Sequence, residues 1–274
     1  MSLLFPDHIR IGLGASYAAL AVVRGRQIVE WHMQEFAPEG QPSWQQAVQT
    51  VSGWLQELPA GNAKVSVMLS SELALLHLLP WRDDVMSAEP QKLLAASFFR
   101  RVYGIDIDHW KTCVWPTGYG APWIASATDA SLLQALQELM PQHKSRLNLR
   151  LVSIEPLALG LFNALRHRLT GHACWFLAQE PQRLTALHLR EQQWQLLQML
   201  PAGTLQEAGI GSTLLRETRL AGLEDETAPV YVVTSDIESS TDGRLNSCIS
   251  LPSGWKTAYG IAGRNPLHLI GAKA

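Results

Sequence analysis

One succession of elements occurs twice in this chain, and it restricts the fold more than any other feature. Residues 9–13 and 18–23 (IRIGL, ALAVV) read as strands joined at Gly14-Ala15-Ser16, and residues 26–36 alternate as a third. Trp44, Ala47, Val48, Val51, Trp54, Leu55 and Leu58 then share one face of a helix, and the apolar strand 64–69 follows. Further on, residues 173–178, 183–189 and 193–200 read as three strands, 209–221 as a helix, and Val230-Tyr231-Val232-Val233 as a buried strand. The β-β-β-α-β unit therefore recurs about 165 residues downstream, the mark of a duplicated α/β architecture. Tight turns between the first strands exclude a Rossmann unit, whose parallel strands need crossover helices.

The copies are separated by a block with its own order. A helix over 90–102 leads to strands at 109–115 and 121–127, separated by the turn at 116–120, then to a helix over 129–140 capped by Asp129 and a strand at 147–154. This α-β-β-α-β run predicts an inserted subdomain. Ser153-Ile154-Glu155-Pro156 predicts the start of the next helix, running to about Arg168, with proline early in its first turn and Glu155 against its positive end. The expected units are residues 1–84, 85–150 and 151–274, the last carrying a C-terminal helix that returns to the first.

Composition narrows the function. With 22 basic and 24 acidic residues among 274, and no strongly basic stretch, the chain is not built to neutralise nucleic-acid phosphates. Cys113, Cys174 and Cys248 form no C-x-x-C pair, which fits a reducing compartment. No basic n-region precedes an apolar run, and no 18-residue uncharged span occurs. The chain is expected to be cytoplasmic and peripheral at a membrane only through partners. The nine histidines lack metal spacing, so no metal site is expected, and no G-x-S-x-G elbow is present. Gly209-Ile210-Gly211-Ser212-Thr213 reads as an ordinary loop into a helix.

Four stretches carry a likeness to a known family: residues 9–23; LLAASFFRRVYGIDID at 93–108 with LLQALQELM at 132–140; LVSIEPLALGLFNAL at 151–165; and WKTAYGIAG at 255–263. In pattern and order the chain resembles the type IV pilus assembly protein PilM and the cytoplasmic domain of the type II secretion protein GspL. The resemblance implies an actin-like (ASKHA, ribonuclease H-like) fold. It also implies a cytoplasmic scaffold of an inner-membrane platform, linking the N-terminal tail of a bitopic membrane protein to a hexameric motor ATPase.

The residues also speak to nucleotide. Actin-like ATPases hold phosphates on the backbone N–H groups of two glycine-bearing hairpins, with an Asp in each to organise Mg²⁺. Here the first hairpin reads Gly12-Leu13-Gly14-Ala15-Ser16, with Gly12 at the Asp position. The second holds Gln179, Glu180, Pro181 and Gln182 where Asp and Gly are expected, and no Gly-Gly pair occurs anywhere. The expectation is a non-catalytic relative with no cofactor. The alternative is an active ATPase binding Mg-ATP at Gly12, Gly14 and Ser16.

The resemblance also implies a partner groove beside the inserted subdomain. Its expected wall is the helix bearing Phe98, Phe99 and Tyr103, with Arg100 and Arg101 at the rim, residue types that supply binding hot spots. The alternative is that Phe98 and Phe99 are core and the arginines only solvate the helix end, since two successive phenylalanines cannot both lie along one narrow helical stripe.

Overall fold

A computed structural model describes residues 7–25, 27–36, 44–104, 107–169, 172–180, 182–201, 210–223, 228–233 and 247–248. The first half begins with β1 (Asp7–Leu13), β2 (Tyr17–Arg24), β3 (Gln27–Glu35), α1 (Trp44–Glu57) and β4 (Gly61–Leu69). There follow β5 (Ala74–Leu79), α2 (Ala88–Tyr103), β6 (Trp110–Trp115), β7 (Trp123–Asp129), α3 (Ala130–Gln142), β8 (Leu147–Pro156) and α4 (Leu157–Leu165). The second half comprises β9 (Ala173–Gln179), β10 (Arg183–Arg190), β11 (Gln193–Pro201), α5 (Ile210–Leu220), β12 (Val230–Val233) and the two-residue β13 (Ser247–Cys248).

The duplication is visible in the pairing. One sheet runs β3-β2-β1-β4-β8 and the other β11-β10-β9-β12-β13. In both, the first three strands are antiparallel and the fourth and fifth join in parallel. Even the register slips correspond: between Val22 and Val23 in β2, and between His188 and Leu189 at the same place in β10. β2 is buried along nearly its whole length, as expected of a strand covered on both faces.

Three strand and helix assignments differ from the sequence expectation. The expected α-β-β-α-β order is present between 85 and 156 as α2-β6-β7-α3-β8, but its members do not form one unit: the small third sheet runs β5-β7-β6, with α2 on one face. α3 and β8 instead belong to the first half. Leu132, Leu136, Leu139 and Met140 of α3 join Ala47, Val51 and Leu55 of α1 over β1 and β4, and β8 pairs with β4 from Gly61–Leu147 to Leu69–Pro156. The stripe on α3 is matched by an open apolar face only on the large sheet, since α2 already covers the small one. The expected cap does form, with Asp129 accepting from Ser131 N–H at 2.8 Å. Residues 153–156 are still strand, not helix. Glu155 lies opposite Met68 and the helix opens only at Leu157, with the Glu155 carboxyl beside Gly160 of its first turns.

α4 lies where the halves meet. Leu157, Leu161, Phe162 and Leu165 pack with Phe176, Leu187, Trp194 and Leu197 of the second sheet, and with Tyr17 and Ala19 of β2. Leu76 and Ile124 bring the outer face of the small sheet into the same cluster. Alternate residues of β9 separate two cores: Cys174, Phe176 and Ala178 face α4, while Trp175 and Leu177 face Leu214 of α5. The C-terminal helix expected near 255–263 lies outside the described residues; of the run Gly209–Thr213, read as a loop, Ile210 to Thr213 are already the first residues of α5.

Candidate functional site

The two hairpins expected to carry phosphates occupy matching places and share a backbone bond. Gly14 N–H donates to Tyr17 C=O at 3.0 Å, and Glu180 N–H donates to Arg183 C=O at 2.7 Å. Glu180 thus stands in the second hairpin where Gly14 stands in the first. Between them runs the loop 70–73, fixed by Ser70 N–H to Leu13 C=O at 2.8 Å and by Leu73 and Ala74 N–H to Ser70 C=O.

What fills this cleft is the chain itself. The Tyr17 ring lies over Gly14 so closely that a Cβ there would fall 2.3 Å from the ring. Gly14 is therefore required by a phenol, and not by an incoming ligand alone. Both oxygens of Glu180, which is only 3% exposed, accept from Ser71 N–H at 3.1 Å. The Glu72 carboxyl lies near the Ala15 N–H of the first hairpin, which favours its ionised form. Two side-chain carboxylates therefore face backbone N–H groups around the cleft, the kind of donor a phosphate would use.

The electrostatics follow from this crowding. Burial raises the Glu180 carboxyl to about 7; the Ser71 hydrogen bonds and Arg183 oppose the rise, while Glu72 adds to it. Burial raises Glu72 as well, against the Ala15 N–H and Arg183. The Tyr17 phenol is pushed well above its ordinary value by burial and by both carboxylates. Tyr17 Oη lies near Ser70 and Glu180, yet closes no well-formed hydrogen bond among the described residues; Ser70 Oγ and Ser71 Oγ are likewise buried without a partner. A second anion entering here would meet two carboxylates with Arg183 as the nearby counter-charge.

Of the residues named for an ATPase, Gly12 is an interior β1 residue paired with Ala19 and Met68, and Gly14 and Ser16 flank the turn. Sequence reasoning did not single out Tyr17, Ser70, Ser71, Glu72 or Arg183. It noted Glu180 only as a missing glycine; the visible signal was an ionisable side chain in a hairpin that should carry none.

The expected partner wall divides. Phe99 is fully buried against Ala95, Trp123 and Ala125, so it belongs to the small sheet's core and not to a surface. Phe98 is half-buried and stacks on His77 at 3.8 Å between ring centroids, with the Arg101 guanidinium 5.9 Å from its ring centre. Burial lowers His77 to about 4, so it is neutral at ordinary pH. Arg100 and Arg101 are exposed, Arg100 lying 4.0 Å from Asp108, and Tyr103 is half-buried near Arg183.

A concavity of about 940 Å³ opens elsewhere. It lies between the β6–β7 turn (Trp115, Thr117), the end of β8 (Ser153), α4 and its following turn (Phe162, Arg166), and the second sheet (Trp194). Its floor is aromatic, and Arg166, His167 and His172 stand at its exposed rim. None of Phe98, Phe99, Arg100, Arg101 or Tyr103 lines it. Among the described residues there is no cluster of three metal-ligating side chains, and no helix long and apolar enough to cross a membrane.

No family model matches the chain, and no curated protein matches it. Solved structures do. The cytoplasmic domain of EpsL, an inner-membrane component of the type II secretion system of Vibrio cholerae, is 12% identical over 83% of this chain and 82% of its own, with a TM-score of 0.53. A Bacteroides thetaiotaomicron protein of actin-like ATPase fold and unknown function is 12% identical over 97% and 96%, at 0.61. The PilM–PilN type IV pilus biogenesis complex contains a chain 14% identical over 95% and 88%, at 0.51. With its paired sheets and matched hairpins, the chain has the actin-like ATPase fold, and it resembles in structure the EpsL cytoplasmic domain and the PilM–PilN complex.

Proposed function

We propose that this chain is a non-catalytic scaffold of a type II secretion or type IV pilus inner-membrane platform. In this reading it sits on the cytoplasmic side and takes up the N-terminal tail of a bitopic membrane protein, which it joins to a hexameric motor ATPase. The observation that carries the non-catalytic part is the self-filled cleft: Tyr17 over Gly14, Glu72 near the Ala15 N–H and Glu180 on the Ser71 N–H. The assembly role draws support from two similar structures, one an inner-membrane component of a secretion system and one a pilus biogenesis complex.

The proposed place for the tail is the 940 Å³ groove, whose aromatic floor and basic rim suit an extended segment with apolar anchors. The half-exposed Phe98–His77–Arg101 surface on the other side of the small sheet is the second candidate.

Calorimetry with Mg-ATP tests the first part. Binding no tighter than about millimolar, roughly −4 kcal/mol, is the expected outcome. A micromolar dissociation constant would promote the ATPase reading at Gly12, Gly14 and Ser16. For the second part, Arg166→Glu and Arg101→Glu are each compared with wild type for melting temperature and for retention with native membranes. Unchanged melting with lost retention assigns the surface; full retention in both removes both surfaces from the interface.

A further inference from the structure

The groove proposed above for the tail has one long wall whose charges are ordered. Leu159, Phe162, Asn163 and Arg166 all line it and stand at i, i+3, i+4 and i+7, so they share one face of α4 and its end, and the groove runs along that helix. Glu155, which also lines the groove, precedes α4, and Arg166 directly follows it. The helix between them, Leu157–Leu165, is about 13 Å long at the helical rise. The facing wall carries no charge to blur this order: residues 112–128, which supply Trp115 and Ile124, contain no Asp, Glu, Lys or Arg. Nor does any Asp or Glu occur between Pro156 and Gln179, the stretch that places His167 and His172 beside Arg166 at the rim. Glu191, whose N–H donates to His172 C=O at 2.6 Å, is not among the lining residues. The groove is thus negative at one end, apolar along its floor and positive at the other. Trp115 is still 40% exposed over that floor, an apolar surface that the described residues leave half uncovered.

We propose that the groove reads charge order: it takes an extended segment bearing two charges of opposite sign about four residues apart, with apolar residues between them. The cationic end lies at Glu155 and the acidic end at Arg166. The spacing follows from the wall, since an extended chain advances about 3.3 Å per residue and covers the length of α4 in roughly four. Affinity comes from the aromatic floor, while the paired charges select among partners and reject those of the wrong sign. The inference rests on the groove being the docking place proposed above, and adds what the docked segment must carry.

Fluorescence anisotropy with labelled synthetic peptides, titrated with the full chain, tests it. All share a central Leu-Ile-Leu between Gly-Ser arms. The residues flanking the core are Lys then Glu, Glu then Lys, Lys at both ends, Glu at both ends, or Gln at both ends. Wild type should bind one of the two mixed peptides at least about fivefold more tightly than either same-charge peptide, with the gap narrowing at high salt. In Arg166→Glu both ends of the wall are acidic, so the preference should pass to the doubly Lys peptide; a thermal melt checks the fold of this exposed-site variant. In Glu155→Gln the doubly Glu peptide should bind as well as the mixed one. Equal binding of all five peptides overturns the charge order and leaves docking in the groove standing. So does a preference that survives Arg166→Glu, the result if the two charges serve only to balance the α4 dipole. If no peptide binds wild type, or if Trp115→Ala leaves all binding intact, the charge order and the docking reading fail together.

Discussion

Replacing Glu180 by glutamine should change how stability depends on pH, and the structure sets the sign and size. In the folded protein the buried carboxyl keeps its proton to about 7, whereas in the unfolded chain it ionises near the ordinary 4.5. Below 4.5 both states hold the proton and the wild type has its full stability from this group. Between 4.5 and 7 the unfolded chain releases the proton and the folded protein does not, so stability falls as pH rises. Above 7 both are ionised and the loss is complete. A displacement of this size corresponds to about 3 kcal/mol, at roughly 1.4 kcal/mol per pH unit. Glutamine has no proton to lose, so its stability minus that of the wild type should grow by about that amount from pH 4.5 to 7.5. Glu72 shares the site, and its own carboxyl is raised by burial, against the Ala15 N–H and Arg183. Urea unfolding of both proteins at pH 4.5, 5.5, 6.5 and 7.5 measures the difference directly. A constant difference across that range, or one that shrinks as pH rises, would refute the burial argument.

Other outcomes follow from the packing. Leu136→Ala should cost about 2–5 kcal/mol in denaturant unfolding, because α3 fills the first half's core; a loss under about 1 kcal/mol would return α3 to the insertion. Gly14→Ala should destabilise by about 1–3 kcal/mol through its clash with Tyr17, and should be relieved in part by Tyr17→Ala, a coupling that a double-mutant cycle reads. The His77 ring should titrate by NMR near 4. Because its folded value lies below the ordinary 6.5, it contributes stability that is lost as pH falls through that window; a midpoint at 6.5 would show the ring to be solvated.

The duplicated halves were legible because each strand carries its own apolar period and each turn its own glycine or short polar run. The assignment of strands to sheets was not. Nothing in LNLRLVSIEP says that it lies beside β4 and not beside β7; that is decided by the face α3 leaves to be covered. Pro156 misled in a specific way. Its fixed backbone suits a first helical turn, but it equally ends a strand, and here it is the last residue paired with β4. The two-residue β13 is too short to carry a period. At the site, the loss of hairpin Asp and Gly was readable, whereas the reach of Glu180 to Ser71 joins positions that no local pattern connects. Phe98 and Phe99 differ by one position and part company because only Phe99 faces Trp123.

The loop 70–73 is also the chain's exit from β4 into β5, the first strand of the small sheet. Four residues, 70–73, therefore separate the end of one sheet from the start of another, and Ser71 sits among them. Such a short connection transmits displacement with little slack. A displacement of the small sheet against the first half would therefore be taken up in this loop, at the backbone that meets Glu180.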